Sequence, residues 1–491
     1  MMHRARPHSA AVCAALLLAG AACENPNEPG QPEGITVISP TAAVSDTAQA
    51  WVAQPLVVEV RDSAGRLQRG VAVRFEAGTA MLGGFELPTL QLSATTPDDY
   101  RNAVQTVTDG NGRAAVRVRL GPVAITAPLK ISVLTLGYEA TVSFTIKPGA
   151  TVQTVALPRD TAVYVGASFA PRATALDRWG NATSLAVTGT VSDAPGVATA
   201  GSSVTGVALG RTRVLVTAGG TQFPVFVSVV PRGTLLAARS DGIYMFNLDG
   251  SEYRRVVQAP GARAMRWFPD GQSFVFNTGV SHASVVNVAT GALRPLVVGA
   301  NPLDGELWPH PSRDGQWVYF GGYTGGGDRG YPYRVRADGG GLQLIPGFTP
   351  DDHTQAHPSP SPTGDRVVYF REGTGDSRNV TLRIMNVQTG QLVLQDVPGH
   401  APEWSRGDSI AYLGLMGSDR GPILLMSSAG GFPRMLGTGT QYDFGIDWSP
   451  DDQWIVARDL VAQQLEVVHV STGQRIPLPY TIGMWTPAWR P

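Results

Sequence analysis

The chain has 491 residues, of which 43% are hydrophobic and 16% are charged, and its formal net charge is −1 at pH 7. This length predicts several domains, and the apolar content is sufficient for each of them to bury a core. The near-zero charge argues against a surface for nucleic acid, so we expect no nucleic-acid partner.

The first element in chain order is an export segment. A basic opening is followed by an apolar run, Ala10 to Ala22, which is short for a bilayer span and predicts a signal peptide over residues 1–22. The run LLLAGAAC ends at Cys23 and resembles a bacterial lipoprotein signal, in which this cysteine carries the lipid. The alternative is ordinary signal-peptidase cleavage after Ala22. Either way we expect an exported protein that faces the periplasm or the cell surface, with any membrane attachment through the lipid alone.

A linker and the cysteine content complete the N-terminal picture. Residues 23–35 include ENPNEPGQPEG, which has no large apolar residue and predicts a flexible tether. The chain has two cysteines, Cys13 and Cys23. Because Cys13 lies inside the predicted signal peptide, we expect no intramolecular disulfide.

Residues 36–150 alternate apolar and polar side chains between turn signals. The run PLVVEVRDSAGRLQRGVAVRFEAG and the later QTVTDGNGRAAVRVRL predict strands of a β-sandwich. Their order resembles the bacterial Ig-like domains of invasins and intimins. Asp109 to Gly112 predict a turn, because the run lacks the spaced carboxylates of a calcium loop.

Residues 151–232 form a second, shorter β unit. The run GVATAGSSVTGVALGRT resembles the second common class of bacterial Ig-like domain. Such modules usually serve as spacers or adhesive units, and nothing in either segment assembles a catalytic group.

Residues 233–491 contain an internal repeat with a period of 44 to 49 residues. The residue before the turn glycine, or its equivalent, is Asp270, Asp314, Thr363, Gly407 and Asp451 in the copies WFPDGQSFVF, PSRDGQWVYF, PSPTGDRVVYF, WSRGDSIAYL and WSPDDQWIVA. A sixth copy begins at TPAWRP. A second series of turn glycines lies between them, at Gly250, Gly291, Gly339, Gly390, Gly430 and Gly473.

Two turns per 40 to 50 residues fit a four-stranded propeller blade. We therefore predict an all-β protein in which two Ig-like sandwiches precede a six-bladed propeller. Residues 234–257 should supply the outer strands of the blade whose inner strand is Trp485 to Trp489, which closes the ring and removes two exposed edges. The repeat resembles the TolB-type propeller, a resemblance that implies the fold far more than a function.

The acidic run DWSPDDQWIVARD, Asp447 to Asp459, belongs to this repeat. The other copies replace Asp451-Asp452 by Asp-Gly, Thr-Gly or Gly-Asp, which a metal site could not tolerate. These acids are therefore interpreted as turn residues.

The lack of known catalytic motifs in the sequence favours a protein without enzymatic activity. G-x-S-x-G does not occur, and the chain has no Walker loop and no dinucleotide fingerprint after a strand. One alternative uses histidine: His353, Gln355 and His357 lie close together, and with His310 they resemble the metal site of oligogalacturonate lyases, whose propellers usually have seven blades. A divalent metal bound there would make the protein a polysaccharide lyase.

The repeat register also predicts a ring at the propeller's centre. The residue before each motif tryptophan, or its equivalent, is Arg266, His310, Ser359, Glu403, Asp447 and Ala488. The polar members of this ring are candidates for binding a peptide or a small ligand, and channel solvation is the alternative.

The order of signal, linker, spacers and propeller predicts an envelope scaffold that binds a protein or a polysaccharide and needs no cofactor. The alternatives are the metal-dependent lyase and a surface adhesin acting through its Ig-like domains. The sequence leaves the oligomeric state open.

Overall fold

The computed structural model describes residues 33–94, 99–279, 282–323, 330–347, 357–372, 380–415, 420–437 and 440–491. Within these ranges the protein is built from β-strands, and the one helical element is a 3-10 turn at Pro479–Thr481. No helix among them is long and apolar enough to cross a membrane. The chain divides into two compact units, Met1–Gln153 with Leu176–Thr183, and Thr154–Ala175 with Ser184–Pro491.

The first unit is made largely of two sheets that enclose one hydrophobic core. Its strands are β1 (Gly34–Ser39), β2 (Val44–Thr47), β3 (Leu56–Arg61), β4 (Ala72–Ala77), β5 (Thr79–Leu82), β6 (Phe85–Pro88), β7 (Leu90–Ser93), β8 (Ala103–Val107), β9 (Arg113–Leu120), β10 (Thr126–Val133) and β11 (Tyr138–Lys147). The sheet orders are β1-β3-β9-β7 and β2-β11-β10-β4-β8, with β5-β6 as a separate hairpin. Val58 and Leu92 of the first sheet and Phe75 and Phe144 of the second are fully buried in the shared core. In β9 and over most of β10 the alternating pattern of the sequence becomes one buried and one exposed face.

The predicted turn at Asp109 is present. The Asp109 carboxylate accepts the backbone amides of Asn111 at 2.8 Å and Arg113 at 2.9 Å. Gly112 adopts φ +69°, which an L-residue rarely takes. These hydrogen bonds give the carboxylate a structural role in the turn.

The next ten strands lead into the propeller. They are β12 (Thr151–Leu157), β13 (Asp160–Tyr164), β14 (Ser168–Phe169), β15 (Arg172–Asp177), β16 (Ala182–Leu185), β17 (Val187–Ser192), β18 (Ala198–Ala200), β19 (Val204–Gly206), β20 (Gly210–Ala218) and β21 (Thr221–Val230). Within the second compact unit they form the sheets β13-β21-β20-β17 and β14-β19-β18. Ala162 and Val230 share a hydrophobic cluster with Leu235, Trp454 and Trp489 of the propeller. This part of the β unit is therefore joined to the propeller by a common core.

Six four-stranded sheets follow among the described residues. Their strands are β22 (Thr234–Arg239), β23 (Gly242–Asn247), β24 (Arg254–Val257), β25 (Ala262–Trp267), β26 (Ser273–Thr278), β27 (Ser284–Asn287), β28 (Leu293–Pro295), β29 (Gly305–Pro311), β30 (Trp317–Tyr323), β31 (Gly330–Arg336), β32 (Gln343–Leu344), β33 (Ser359–Pro360), β34 (Arg366–Glu372), β35 (Val380–Asn386), β36 (Leu392–Pro398), β37 (His400–Trp404), β38 (Ser409–Leu413), β39 (Ile423–Ser427), β40 (Gly430–Leu436), β41 (Asp447–Trp448), β42 (Trp454–Asp459), β43 (Gln464–His469), β44 (Arg475–Pro477) and β45 (Trp485–Trp489).

These sheets are the blades of a β-propeller. Blades 1 to 5 take consecutive strands from β25-β26-β27-β28 to β41-β42-β43-β44, and the sixth has the order β24-β23-β22-β45. Leu235 pairs with Trp489 and Leu236 with Ala488, so the predicted closure of the ring by its two ends is confirmed. Each blade places its first strand innermost, and the six inner strands β25, β29, β33, β37, β41 and β45 surround the centre.

The acidic turns between first and second strands are structural. The Asp451 carboxylate accepts the Ser449 hydroxyl at 2.5 Å and the Gln453 amide at 3.1 Å. The Trp448 indole donates to the Glu403 carbonyl of the preceding blade at 3.0 Å. The acid therefore fixes the turn, and the tryptophan ties one blade to the next.

Candidate functional site

The inner strands share a backbone distortion that positions the centre of the propeller. The residue two positions before the ring residue has a positive φ in five of the six strands, within the part of the chain that the structure describes: Ala264 (51°), Trp308 (55°), Ala401 (49°), Gly445 (94°) and Thr486 (43°). The pairing register shifts at this point in four of these strands. A bulge of this kind re-aims the side chains that follow it, and it costs energy at non-glycine residues.

The ring residues meet at the centre in a buried ionic cluster. Glu403 is 3% exposed, and one of its carboxylate oxygens binds the Arg266 guanidinium. The other oxygen lies 2.9 Å from His310 Nε2 and 3.5 Å from the Ser359 hydroxyl. Arg266 also donates to the Ile446 carbonyl at 3.0 Å. Blades 1 to 5 are thus joined through one buried carboxylate and its arginine.

Burial decides the charges in this cluster. It lowers the pKa of His310 well below its usual value, and the nearby Arg266 lowers it further. His310 is therefore neutral at pH 7 and donates from Nε2 to the Glu403 carboxylate, which can only accept. The negative charge of Glu403 is balanced by Arg266, which is itself only 6% exposed. The cluster holds one compensated ion pair and neutral hydrogen-bonding groups.

Asp447 and Ala488 complete the ring in a different way. The Asp447 carboxylate accepts the amide of Trp448 at 2.9 Å and that of Trp489 at 2.7 Å. Burial raises the pKa of Asp447, while Arg266 counteracts this effect. Ala488 is fully buried and offers its carbonyl to the Trp267 indole. The five polar residues of the predicted ring therefore lie together, and they bond mainly to one another and to the backbone.

A shallow mouth lies beside this cluster, at the N-terminal ends of the inner strands. We call it the aromatic mouth; it consists of Trp308, His357, His400 and Phe444. Ring centroids are 3.9 Å apart for Trp308 and His357, 4.9 Å for His400 and Phe444, and 5.4 Å for Trp308 and Phe444. Trp308 and Phe444 are partly exposed, whereas His357 and His400 are 4% and 1% exposed.

The two histidines of the aromatic mouth have unused hydrogen-bonding atoms. His357 Nε2 and both ring nitrogens of His400 have no partner among the described protein atoms. Burial lowers the pKa of His400 to about 4 and that of His357 well below its usual value. Both rings are neutral at pH 7, so the two unpartnered nitrogens of His400 are one N–H donor and one acceptor, and Nε2 of His357 is one or the other according to its tautomer. Buried polar atoms without a partner are uncommon and call for a water or a ligand.

The channel is narrow where the aromatic mouth meets the ionic cluster. The free space enclosed by Ala264, Arg266, Trp308, His357 and Glu403 amounts to about 10 Å³. A single water needs roughly 10–15 Å³ of such space. The ionic cluster therefore closes the channel, and a ligand would bind on the aromatic mouth rather than pass through the channel.

The predicted metal ligands are only partly described. His353 and Gln355 lie outside the described residues. His310 contacts the Pro311 carbonyl and Glu403 with its two nitrogens, at 3.1 and 2.9 Å. His357 has its Nε2 free and lies in the aromatic mouth. No group of three or more histidine, cysteine or acidic side chains suited to a metal occurs within the described ranges.

Sequence reasoning missed most of the aromatic mouth. Trp308, His400 and Phe444 precede their ring residues by two or three positions, and the bulge turns them toward one another. Their position just before the ring residues was a usable signal, but the repeat does not show the backbone distortion that brings them together. Cys23, the predicted lipid site, lies outside the described residues, as does all but the end of the 23–35 linker.

Comparisons with known proteins find similar propellers. TolB from Acinetobacter baumannii is 15% identical over 58% of this chain and 80% of its own, with a TM-score of 0.45. The putative TolB from Agrobacterium tumefaciens is 15% identical over 53% of this chain and 100% of its own, with a TM-score of 0.41. An oligogalacturonate lyase in complex with manganese is 14% identical over 51% and 73%, with a TM-score of 0.33. With TM-scores below 0.5 these similarities do not indicate function. No protein-family model and no curated protein matches the chain.

Proposed function

We propose that this protein is a non-enzymatic binding protein of the cell envelope, whose propeller holds a segment of a protein or a polysaccharide on the aromatic mouth. The observation that carries the proposal is the pair of buried, neutral histidines with unpartnered ring nitrogens beside two partly exposed aromatic rings. The predicted domain architecture and the predicted location in the envelope rest on the sequence and are part of the same proposal.

The chemistry of the aromatic mouth suits a neutral, hydrogen-bonding ligand. Unpartnered imidazole nitrogens can bond to the amide groups of a peptide or the hydroxyl groups of a sugar. The faces of Trp308 and Phe444 can stack on the apolar side of either. Because His357 and His400 are neutral, an anionic ligand gains no charge–charge attraction from them at pH 7. The ion pair behind the mouth is already satisfied, so it fixes the strands that carry these residues.

The N-terminal parts of the chain would place this propeller in the envelope. In this proposal Cys23 carries a lipid, residues 23–35 form the tether, and residues 36–150 and 151–232 are Ig-like domains that carry the propeller. The supporting observations are the signal-like sequence and the paired sheets of the first unit. Metabolic labelling with a tagged fatty acid, in the wild type and in Cys23→Ala, tests the anchor directly.

The binding proposal is tested by cross-linked capture from solubilised envelopes with the full mature chain as bait. The test variant is Trp308→Leu/Phe444→Leu, which removes both rings of the aromatic mouth. The control variant is Phe432→Ala, which removes a fully exposed ring on the outer strand β40. We expect a protein or glycan that the wild type and the control retain and the mouth variant loses. Equal capture by all three proteins would refute the proposal.

The metal-dependent lyase is the second candidate function. His357 and His400 favour it, since a neutral imidazole with a free nitrogen is what a divalent metal binds. His310 does not fit as a ligand, because its nitrogens are occupied. Two donors are too few for a catalytic site, so this candidate also requires His353 and Gln355. Elemental analysis of purified protein tests it: stoichiometric metal that His357→Phe abolishes would favour the lyase, and its absence would refute it.

A further inference from the structure

The turns after the inner strands carry an unassigned pair of arginines. At the turn position that follows the motif serine, or its equivalent, four blades have proline: Pro269, Pro362, Pro450 and Pro491. Blades 2 and 4 have Arg313 and Arg406 there instead. These turns lie at the C-terminal ends of the inner strands, across the ionic cluster from the aromatic mouth. Nothing in the turn itself requires arginine, since the other copies form it without one.

Arg313 is partly buried without a carboxylate partner. Its guanidinium donates to the Trp404 carbonyl of blade 4 at 3.0 Å. Among the described residues, no acidic side chain lies within ion-pair distance of Arg313 or Arg406. Burial lowers the pKa of Arg313, Asp447 and Asp452 counteract this effect, and the nearby Arg406 and Arg266 add to it. All three arginines line the same small cavity.

The nearest carboxylates are occupied by backbone amides. Asp447 accepts the amides of Trp448 and Trp489, and Asp452 accepts those of Arg406 and Gly407 at 3.1 and 2.6 Å. Glu403 is held by Arg266 and His310 on the other side of the cluster. These acids reduce the positive potential, but none of them forms an ion pair with the guanidinium group of Arg313 or Arg406.

A small cavity connects these groups. It has a volume of about 40 Å³, and its walls include Arg266, Arg313, Arg406 and Asp447. The Nε of Arg266, a residue only 6% exposed, has no hydrogen-bond partner among the described protein atoms. Pro491 also lines the wall without forming an ion pair with any described arginine. Three guanidiniums and one carboxylate line this space, which holds about three waters, and Glu403 and Asp452 lie nearby. The space therefore offers a ligand the unpaired forks of Arg313 and Arg406 rather than a net positive charge.

We propose that Arg313 and Arg406, with Arg266 behind them, form a binding site for an oxyanion, either a carboxylate or a phosphate group. The planar fork of arginine matches both groups and binds them through two parallel hydrogen bonds. The anion supplies the partner that the forks of Arg313 and Arg406 lack among the described acidic side chains. The proposal is independent of the aromatic mouth, because it uses the other ends of the inner strands.

The test is calorimetric titration of the full mature chain with inorganic phosphate and, separately, with succinate, against sodium chloride at equal ionic strength. The variants are Arg313→Gln, Arg406→Gln and the charge-conserving Arg313→Lys. Arg434→Gln is the matched control, since Arg434 also donates to a backbone carbonyl of the next blade, Val470, but lies on the outer strand β40. Melting curves verify the fold of each variant.

We expect saturable binding of at least one of the two anions, weakened about tenfold or more by each glutamine variant. Arg313→Lys should also weaken binding, because the fork is lost although the charge remains, and Arg434→Gln should bind as the wild type does. Binding of phosphate alone or succinate alone supports the site and assigns its ligand class. Absence of saturable binding, or equal binding by the exposed variant Arg406→Gln, would overturn the proposal whatever the stability of Arg313→Gln.

Discussion

Glu403→Gln is the substitution that most directly tests the ionic cluster. The change preserves the side-chain volume but removes the charge that compensates Arg266. Arg266 is 6% exposed and would be left without an ion-pair partner, with Asp447 as the nearby counter-charge. His310 would keep a hydrogen-bonding partner, so the loss of stability comes from the broken ion pair. Removing one member of a buried pair costs about 3–5 kcal/mol of stability. We therefore expect the free energy of unfolding of the propeller to fall by about that amount.

A double-mutant cycle separates the energy of the Arg266–Glu403 ion pair from the effect of lost packing. Arg266→Met removes the cation and leaves Glu403 uncompensated, so it should be similarly costly. The double variant has no buried charge and should cost much less than the sum of the two single changes. Urea unfolding followed by tryptophan fluorescence reports on the propeller, since eight of the ten tryptophans lie in residues 233–491.

The control for this cycle is an exposed ion pair. Arg383 and Asp396 lie 3.0 Å apart on outer strands of blade 3, with 54% of the Asp396 side chain exposed. Arg383→Gln should cost about 1 kcal/mol or less. If the Glu403 and Arg266 effects were additive, or no larger than that of Arg383→Gln, the central pair would not hold the blades together and the reasoning would be refuted.

Three further predictions concern the mouth, the bulge and the anchor. Burial lowers the pKa of His400 from 6.5 to about 4, so on acidification the unfolded chain takes up the proton before the folded protein does. The free energy of unfolding should therefore be highest above pH 6.5 and fall by about 3 kcal/mol toward pH 4. His400→Phe should reduce this pH dependence when urea unfolding is measured across the same range. Gly445→Ala should lower the free energy of unfolding in urea by about 1–3 kcal/mol, because φ at this position is +94° and the new Cβ would lie 2.9 Å from Thr486 Cα. Gly196→Ala is the control: its Cβ would have no neighbour within 4 Å, so it should have little effect. Cys23→Ala should move the protein from the membrane to the soluble fraction of a cell extract, and an unchanged distribution would contradict the lipid anchor.

The repeat was sufficient to predict the propeller. The spacing of Asp270, Asp314 and their equivalents, with hairpin glycines between them, fixes four short strands per unit, and the leftover strand at each end predicts how the ring closes. The reason is physical: a blade cannot bury its faces alone, so each copy must keep the same turn and the same apolar alternation.

The pairing inside the ring could not be predicted. The register places Arg266 and Glu403 at equivalent positions in blades 1 and 4, but it says nothing about which ring members touch. That depends on side-chain length and on the direction imposed by the bulges. Arginine reaches across the centre, whereas Asp447 is held at the rim by two backbone amides. Most of the polar groups that were interpreted as a ligand site therefore bond to one another, with Nε of Arg266 left without a partner, and the unpartnered histidine nitrogens lie in the neighbouring aromatic mouth.

The aromatic mouth shows the same limit. His400 and Phe444 stand three residues before their ring positions, where a regular strand would turn them away from where they lie. The bulge at Ala401 and Gly445, with φ of 49° and 94°, brings them together. A positive φ is usually found at glycine, so the sequence gives no indication that an alanine will adopt one. The glycine at position 445 was the one visible indication.

The most direct measurement of the central claim is the dissociation constant of a purified partner identified by capture, measured by calorimetry with the full mature chain. The account predicts that Trp308→Leu/Phe444→Leu weakens binding about tenfold or more without lowering the melting temperature to the same extent as Glu403→Gln. Phe432→Ala should leave the constant unchanged. An unchanged constant in the mouth variant, or an equal loss in Phe432→Ala, would contradict the claim and place the binding surface on the outer strands of the propeller.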